Sequence, residues 1–179
     1  MRLSQNFWLS ELTKSSTADR MGIENVPGIE EIVNLTVLTH HVLQPVREKF
    51  GVITVNSGYR SPTLNSKVGG SKTSQHCFGE AADFEQLGTP NGEVATWISK
   101  ELDFDQLILE FYTKGKPNSG WVHCSFKKDG SNRRKIMTAL RVMEKLNTSR
   151  VLFSDWTSPK NISPIFIHHW SVSIQKNLG

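Results

Sequence analysis

The sequence has 179 residues, the size of one ordinary domain, of which 37% are hydrophobic and 21% charged. This balance excludes collagen, coiled coils and extended disorder, and it predicts a single globular core. Lysine and arginine (21) exceed aspartate and glutamate (17), so the net charge is +4 and the isoelectric point is about 9.1. A mild positive charge is compatible with an anionic partner such as nucleic acid or a cell-wall polymer, and it identifies neither.

The first long element along the chain is a predicted amphipathic helix over residues 29–50. Its apolar positions recur at spacings of three and four, and Gly51 ends the pattern. Because proline has no amide hydrogen, Pro45 should bend or weaken this helix. A short β-branched run over 52–55 then predicts a strand that leads into a loop at 57–62.

The following part of the chain predicts strands around one further helix. Strands are predicted over 81–84, 104–111 and 121–126, a helix over 92–102, and a turn at 114–119 between the last two strands. Helices followed by strands with one helix between them indicate an α+β domain, built on a small, largely antiparallel sheet with flanking helices.

The C-terminal segment differs in composition from the rest of the chain. It has one acidic residue, two tryptophans, two phenylalanines and no clear periodicity. We therefore predict a domain over 1–146 and a tail over 147–179, which either packs over the domain or forms an accessory segment. No stretch has the apolar core of a signal peptide or the length of a membrane span, so we expect a cytoplasmic monomer without membrane insertion.

The six histidines occur as two adjacent pairs and two single residues. Adjacent residues of a helix point in different directions and cannot chelate one ion, so the pairs at 40–41 and 168–169 are expected to be structural or solvent-exposed. His76 and His123 instead lie where a loop meets a strand, and each has carboxylates nearby in the sequence. A single histidine is more often a hydrogen-bonded structural residue than a metal ligand, so only the combination of residues is informative.

His76, Asp83 and His123 together would supply the two imidazoles and one carboxylate that often hold a hydrolytic zinc ion. Such a site keeps a fourth position for water and lowers the pKa of that water towards about 7. Glu110 ends an apolar strand, where it could take the proton of the water as a general base. The alternative for Glu110 is an ordinary exposed residue at a strand end. Residue types and spacing alone therefore indicate a possible metal site.

Four sequence blocks resemble a family of zinc peptidases that includes D-Ala-D-Ala carboxypeptidases and phage L-alanyl-D-glutamate endopeptidases. The blocks are Ser57-Gly-Tyr-Arg-Ser-Pro62, Asn65-x-x-Val-Gly-Gly70, Ser74-x-His76-x-x-Gly79-x-Ala81-x-Asp83 and Trp121-Val-His123-x-Ser125. The order and spacing of the blocks match those of the family. The first residues, Leu3-Ser-x-Asn-Phe7 and Gly22-Ile-x-Asn25, are similar to a compact branch that phages or prophages often encode. The resemblance covers roughly residues 3–140 and implies a fold like that of hedgehog proteins and D-Ala-D-Ala peptidases.

The resemblance implies that the His/Asp/His set binds one zinc ion. In many members the catalytic acid stands three residues before the last histidine, where this sequence has Gly120, which has no side chain for acid–base chemistry. The segment from Phe104-Asp to Glu110, followed by His123-Cys-Ser125, looks like the zinc domain of hedgehog signalling proteins, in which a glutamate on the equivalent strand faces the metal. That likeness makes Glu110 the predicted catalytic base.

Two further residues are implied to contact the substrate. Arg60 matches a family arginine near the scissile bond, and its planar guanidinium suits a carboxylate or a developing oxyanion. Ser74 matches a position that contacts substrate through its hydroxyl. Each has a structural alternative, since Arg60 could fix its own turn and Ser74 could cap one. Cys124 follows a strand histidine and should point to the opposite face, into the core, while Cys77 is left out of the site.

The sequence thus predicts a zinc-dependent peptidase that cuts peptidoglycan stem peptides, as a carboxypeptidase or an endopeptidase, and that another factor releases to the cell wall if it is an endolysin. A zinc-stabilised binding module without catalysis is the alternative from a different class. Basic residues at 127–128 and 133–135 leave nucleic-acid binding as a third hypothesis. A solvated turn is the simpler explanation of that patch, and we expect a peptide and no nucleic acid as partner.

Overall fold

The computed structural model describes residues 1–113 and 115–140 of the chain. Its α-helices are α1 (Leu9–Thr13), α2 (Ser16–Met21), α3 (Ile29–Leu38), α4 (Gln44–Phe50), α5 (Pro62–Lys67) and α6 (Asn91–Glu101). Its strands are β1 (Ile53–Ser57), β2 (Ala81–Gln86), β3 (Gln106–Tyr112), β4 (Trp121–Ser125) and β5 (Lys135–Leu140). A π-helical turn (Thr39–Leu43) joins α3 to α4, and a 3₁₀ turn (Gln75–Phe78) precedes β2. The predicted tail over 147–179 lies outside the described residues.

The predicted long helix forms, and it is distorted at the proline. The segments α3, the π turn and α4 follow one another without a break. Because the ring of Pro45 would collide with the carbonyl four residues earlier, a regular α-helix cannot continue through it. The helix instead widens just before the proline, where the amide of Gln44 donates to the carbonyl of Thr39, five residues back. Gly51 then ends α4 with a φ of 85°.

The five described strands form one sheet in the order β1-β2-β4-β3-β5. All neighbouring pairs are antiparallel except β3 and β5, which run parallel. This arrangement confirms the predicted α+β class with a small, largely antiparallel sheet. The strands and the helix predicted between them are present with ends shifted by one or two residues.

The two faces of the sheet carry different side chains, one apolar and one polar, because successive side chains of a strand point to opposite faces. On one face Phe84, Val122 and Leu109 join a core cluster with apolar residues of the π turn, α4 and α6. On the other face, Asp83 of β2 lies directly opposite His123 of β4. The sheet therefore buries its apolar side chains on one face and presents a carboxylate and an imidazole on the other.

Candidate metal centre and active site

Three potential ligand atoms converge on the polar face of the sheet. The Nε2 atom of His76 lies 3.3 Å from Oδ1 of Asp83 and 3.3 Å from Nδ1 of His123, and the last two atoms are 2.8 Å apart. In the part of the chain that the structure describes, these residues form the one group of three or more His, Cys, Asp or Glu side chains suited to a metal ion, and all three are buried. The sequence prediction of this set is therefore matched by its geometry.

The backbone brings the three residues together from two sources. The antiparallel register of β2 and β4 places Asp83 beside His123, so both side chains point to the same face. His76 comes from the 3₁₀ turn, which is pressed against α3. At Gly79, which ends this turn with a φ of 69°, an added Cβ would lie 2.4 Å from the carbonyl oxygen of Glu31. Only glycine permits so close an approach, and this is what holds His76 over the sheet.

Hydrogen bonds outside the cluster fix the orientation of two of its members. The Nδ1–H of His76 donates to the carbonyl of Gly58 over 2.7 Å, which directs the Nε2 lone pair towards the cluster. Asp83 is held on its outer oxygen, where Nη2 of Arg60 lies 3.4 Å from Oδ2. The inner oxygen Oδ1 then faces both imidazoles. Such outer contacts are the usual means by which proteins orient metal ligands.

The charges of the cluster favour an ionised carboxylate between imidazoles. Burial lowers the pKa of His76, although the neighbouring Asp83 opposes that effect. Burial alone would raise the pKa of Asp83, but the two imidazoles outweigh it and hold that pKa far below its usual range. Burial alone would lower the pKa of His123, yet its hydrogen bond with Asp83 raises it. The ionised aspartate and a neutral His76 suit metal binding, and a bound cation would have to displace any proton that Asp83 holds on His123.

The separation of the ligand atoms fits a zinc ion. Zinc at about 2.0–2.1 Å from tetrahedral ligands places those ligands about 3.3 Å apart, which is the spacing found twice within the cluster. Two imidazoles and one carboxylate also form a donor set that catalytic zinc sites use, with a fourth position left for water or substrate. The three residues of the cluster therefore fit the zinc ion that the family resemblance implied.

Glu110 lies on the same face of the sheet as the cluster. His123 pairs with Ile108 across β4 and β3, and Glu110 is two residues further along β3, so its side chain points to the same side. It is half-buried, unlike the exposed strand-end residue of the alternative interpretation. Burial and the charge of Asp83 raise the pKa of Glu110 above its ordinary value. A carboxylate with a raised pKa beside a metal cluster is suited to proton transfer.

The position of Gly120 leaves no room for an acid there. An added Cβ at Gly120 would lie 1.8 Å from the carbonyl oxygen of Glu110, and the φ of Gly120 is 68°. A side chain at this position would therefore collide with the backbone that carries Glu110. The departure from the usual family pattern thus agrees with the backbone geometry, and Glu110 is the neighbouring carboxylate on this face of the sheet.

Arg60 contacts the cluster, whereas Ser74 lies at the start of the turn that carries His76. The Nε of Arg60 donates to the hydroxyl of Ser57 over 3.1 Å, while its Nη2 faces Asp83. Arg60 thus does fix its turn, and it holds a ligand carboxylate as well. Ser74 is partly exposed at the start of the 3₁₀ turn, and its side chain does not cap that turn.

The loop that carries Arg60 is fastened to the N-terminal segment through Asn25, which the sequence analysis named only as part of a block of the resemblance. The side-chain amide of Asn25 donates to the carbonyls of Thr13 and Tyr59, and its oxygen accepts the amide of Ser61. At Gly58 an added Cβ would lie 2.3 Å from the carbonyl of Leu12. The N-terminal blocks of the resemblance therefore hold the loop that contacts the cluster. This role cannot be read from the sequence, because it depends on a tertiary contact.

Comparison with known proteins gives the family. Residues 5–125, more than half of the chain, match the Peptidase M15 family. The chain belongs to the Peptidase M15 family. A relative, the zinc D-Ala-D-Ala carboxypeptidase of Streptomyces albus G, is 49% identical over 49 residues. That match covers 26% of this chain and 19% of the relative, so the similarity spans about a fifth of the length of that protein.

Membership in the M15 family confirms the predicted peptidase family, and the buried His/Asp/His cluster is a candidate metal site of the predicted kind. The cysteines agree with this site. Cys124 is buried on the apolar face of the sheet and its thiol pKa is strongly raised by burial, as expected for a core residue. Cys77 is free and half-buried, and it is not part of the cluster.

The remaining histidines of the M15 chain that the structure describes lie apart from the cluster. His40 and His41 are exposed on the π turn, and His41 stacks on Phe126 with ring centroids 4.4 Å apart. The second pair, at 168–169, lies outside the described residues. Among the helices described, none is long and apolar enough to cross a membrane.

Proposed function

We propose that this M15 protein is a zinc-dependent peptidase that hydrolyses the stem peptides of peptidoglycan. The observation that carries the proposal is the convergence of three buried ligand atoms, at zinc-like spacing, beside a half-buried carboxylate on the same face of one sheet. The substrate class is supported by the name of the relative, a D-Ala-D-Ala carboxypeptidase, whose matching segment is 49 residues long. A carboxypeptidase and an L-Ala-D-Glu type endopeptidase are the two forms of the activity that the resemblance supports.

In this proposal a metal ion would act as the Lewis acid, and the carboxylate of Glu110 transfers the proton. A zinc ion held by His76, Asp83 and His123 would supply a Lewis acid that polarises a peptide carbonyl and makes water more acidic. Glu110 removes a proton from the attacking water and returns it to the leaving amine as the peptide bond breaks. The raised pKa of Glu110 suits both steps, because a protonated glutamate must also serve as an acid.

Arg60 and Ser74 bind substrate in the proposed mechanism. Arg60 has used Nε on Ser57 and Nη2 on Asp83, while no hydrogen bond of its Nη1 is found among the described residues. That nitrogen is available for a substrate carboxylate or for the charge that develops on the scissile carbonyl. The hydroxyl of Ser74, two residues before His76, is placed to accept or donate one further hydrogen bond.

The biological setting that we propose is lysis of a bacterial host by a phage or prophage. In that setting the enzyme reaches the wall only after another factor opens the membrane. The net charge of +4 is compatible with an anionic cell wall.

The test is digestion of purified peptidoglycan by the full chain loaded with zinc. New amino groups would be measured, and the fragments would be identified by mass spectrometry to show which bond is cut. We expect Glu110→Gln to lower the rate by about 10²–10⁴-fold, the usual contribution of a general base, while the protein retains one zinc ion per chain. Glu93→Gln, an exposed carboxylate at the start of α6, is the matched control and should leave the rate unchanged.

Three outcomes would be informative about the proposal. Loss of hydrolysis with zinc retained in Glu110→Gln supports it. A wild-type protein that holds zinc but releases no amino groups from peptidoglycan would instead support the non-catalytic zinc module. Equal rates for wild type and Glu110→Gln would remove Glu110 from the mechanism and leave the peptidase activity standing.

A further inference from the structure

Trp121 is the cross-strand neighbour of the proposed general base. The register of β3 and β4 pairs Trp121 directly with Glu110, at the end of both strands. Residues that face each other across antiparallel strands project from the same side of the sheet. The indole therefore shares the polar face with the Glu110 carboxylate and with the metal cluster, two residues before His123.

The indole nitrogen of Trp121 is buried and lacks a regular partner. Within the described residues it makes no hydrogen bond of standard geometry. Burial raises the pKa of Glu110, and the neighbouring indole opposes that effect by favouring the ionised carboxylate. A buried donor left unsatisfied costs about 1–3 kcal/mol, so a fold retains one only where a partner becomes available. The carboxylate of Glu110 is an acceptor that lies beside it in the sheet.

The backbone around this pair is distorted in a way that aims both side chains. Phe111, directly after Glu110, has a φ of 52°, and the register of β3 against β5 shifts at this point. Opposite it, Gly120 has a φ of 68° and closely approaches the Glu110 carbonyl. Such bulges redirect side chains and often lie next to functional sites. The ring of Phe111 also packs on Trp121, with centroids 5.1 Å apart, so the indole has little freedom to turn away.

We propose that Trp121 is a positioning residue for Glu110, whose carboxylate it holds through the indole N–H so that one oxygen is fixed and the other faces the attacking water. The inference rests on the proposed function of Glu110 as general base. In the working arrangement the carboxylate turns so that one oxygen accepts the indole hydrogen, while the second oxygen takes the proton of the water and later delivers it to the leaving amine. The indole itself neither gains nor loses a proton.

A different role for the same N–H would be a direct hydrogen bond to the substrate. The two roles differ in what they depend on. A donor to substrate would act independently of Glu110 and would affect KM, whereas a positioning residue acts only through Glu110 and affects kcat. If Trp121 had a purely structural role, its substitution would lower stability without a specific effect on KM or on kcat.

The kinetic test compares wild type, Trp121→Phe, Glu110→Gln and the double variant, all as full chains loaded with zinc, on purified peptidoglycan. Phenylalanine keeps the aromatic packing and removes only the donor. We expect kcat to fall by roughly 10–100-fold, as for the loss of a hydrogen bond to a charged group, with KM unchanged. In the Glu110→Gln background, Trp121→Phe should have no further effect. Additive losses, or a change confined to KM, would overturn the proposal.

A spectroscopic test does not depend on hydrolysis. The five indole N–H signals of the protein labelled with ¹⁵N-tryptophan are recorded by NMR, and Trp121→Phe identifies the signal of Trp121. We expect that signal to lie downfield, as for a hydrogen-bonded donor, and to move upfield in Glu110→Ala but not in Glu93→Gln. A Trp121 signal that is unmoved in Glu110→Ala would overturn the positioning role. If the wild type failed to cleave peptidoglycan while the signal moved, the peptidase proposal would fail and the Trp121–Glu110 contact would stand.

Discussion

At the scale of single residues, nearby carboxylates neutralise part of the basic patch at 127–128 and 133–135. Three of its cations form ion pairs with carboxylates from other parts of the chain. The pairs are Lys128 with Glu30, Arg133 with Asp105, and Arg134 with Asp103. Charge counted along the sequence therefore overstates the positive charge that is free to meet a phosphate backbone. This pairing supports the choice of a peptide over nucleic acid as the proposed partner.

The Arg133–Asp105 pair predicts a specific response to acid. Asp105 is fully buried, and Arg133 donates to it from Nε over 2.7 Å and from Nη2. Burial alone would raise the pKa of Asp105, but the hydrogen bonds from Arg133 outweigh burial and lower it. Since the folded-state pKa is depressed, this stabilisation is present above the ordinary aspartate pKa of about 4 and is lost as the pH falls through the folded-state value.

We expect Arg133→Gln to lower the free energy of unfolding near neutral pH by about 1–3 kcal/mol, and by less at an acidic pH below the folded-state pKa of Asp105, where the protonated carboxyl no longer needs the guanidinium. This loss is smaller than the loss of about 3–5 kcal/mol expected when a fully buried ion pair is broken, because the Arg133 side chain is 51% exposed. Urea denaturation at the two pH values measures the difference. The same substitution in an Asp105→Asn background is the control, and an equal loss at both pH values would contradict the prediction.

The ligand residues were predictable from sequence, whereas their supporting contacts were not. His76, Asp83 and His123 stand in motifs with fixed spacing, and local spacing is what a sequence displays. The Trp121–Glu110 pairing depends on the register of β3 and β4. The contact of Arg60 with Asp83 depends on where β2 lies in the fold. Such contacts join residues more than ten positions apart in the chain, so no local pattern reports them.

At the scale of elements, the hairpin of β3 and β4 contains strained backbone next to Glu110. Gly120 and Phe111 both have positive φ values, and an added Cβ at Gly120 would lie 2.8 Å from the carbonyl carbon of Phe111. Positive φ is costly for a residue with a side chain, by about 1–3 kcal/mol. The hairpin therefore keeps a strained end, which is where the proposed catalytic carboxylate is located.

Substitution of Gly120 tests this constraint. Gly120→Ala would place a Cβ 1.8 Å from the Glu110 carbonyl, in addition to the strain of a φ of 68°. Gly130→Ala is the matched control, because Gly130 has a φ of 79° and open space around its Cβ position. We expect Gly120→Ala to lower the free energy of unfolding in urea by at least about 2 kcal/mol more than Gly130→Ala. Equal costs would mean that the close approach imposes no constraint, and an aspartate at 120 would then be tolerated.

The elements that the sequence predicted are those with internal periodicity. The helix over 29–50 and the strands that carry the motifs have enough residues to show a pattern of period 3.6 or 2. The helices α1, α2 and α5 have only five or six residues, too few to display such a pattern. β5 follows a basic loop and is defined by its parallel pairing with β3, which the sequence does not reveal.

At the scale of the whole molecule, the candidate metal centre is where separate parts of the fold meet. His76 comes from the 3₁₀ turn packed on α3, Asp83 from β2 and His123 from β4, and the Gly58 loop that orients His76 is tied to the N-terminal segment. The buried carboxylate and imidazoles are held together at the cost of desolvation. A cation bound among them would join these parts and offset that cost, so metal binding and global stability should be linked.

This linkage predicts that zinc raises the midpoint of thermal unfolding. A ligand that binds only the folded chain at 100 times its Kd adds about 2.7 kcal/mol, which corresponds to roughly 5–10 °C for a chain of this size. Thermal unfolding would be followed after dialysis against a chelator, and again after addition of zinc or of magnesium. Magnesium should have little effect, because it prefers oxygen ligands and the cluster offers two imidazoles.

Variants show whether the rise comes from this cluster. His76→Ala should abolish it, since one of three ligands is lost. His41→Ala, an exposed histidine stacked on Phe126, is the matched control and should retain it. Glu110→Gln should also retain the rise, because the proposed base is not a ligand. A zinc effect that persists in His76→Ala would place the ion elsewhere in the chain, and one that disappears in Glu110→Gln would make Glu110 a ligand rather than a base.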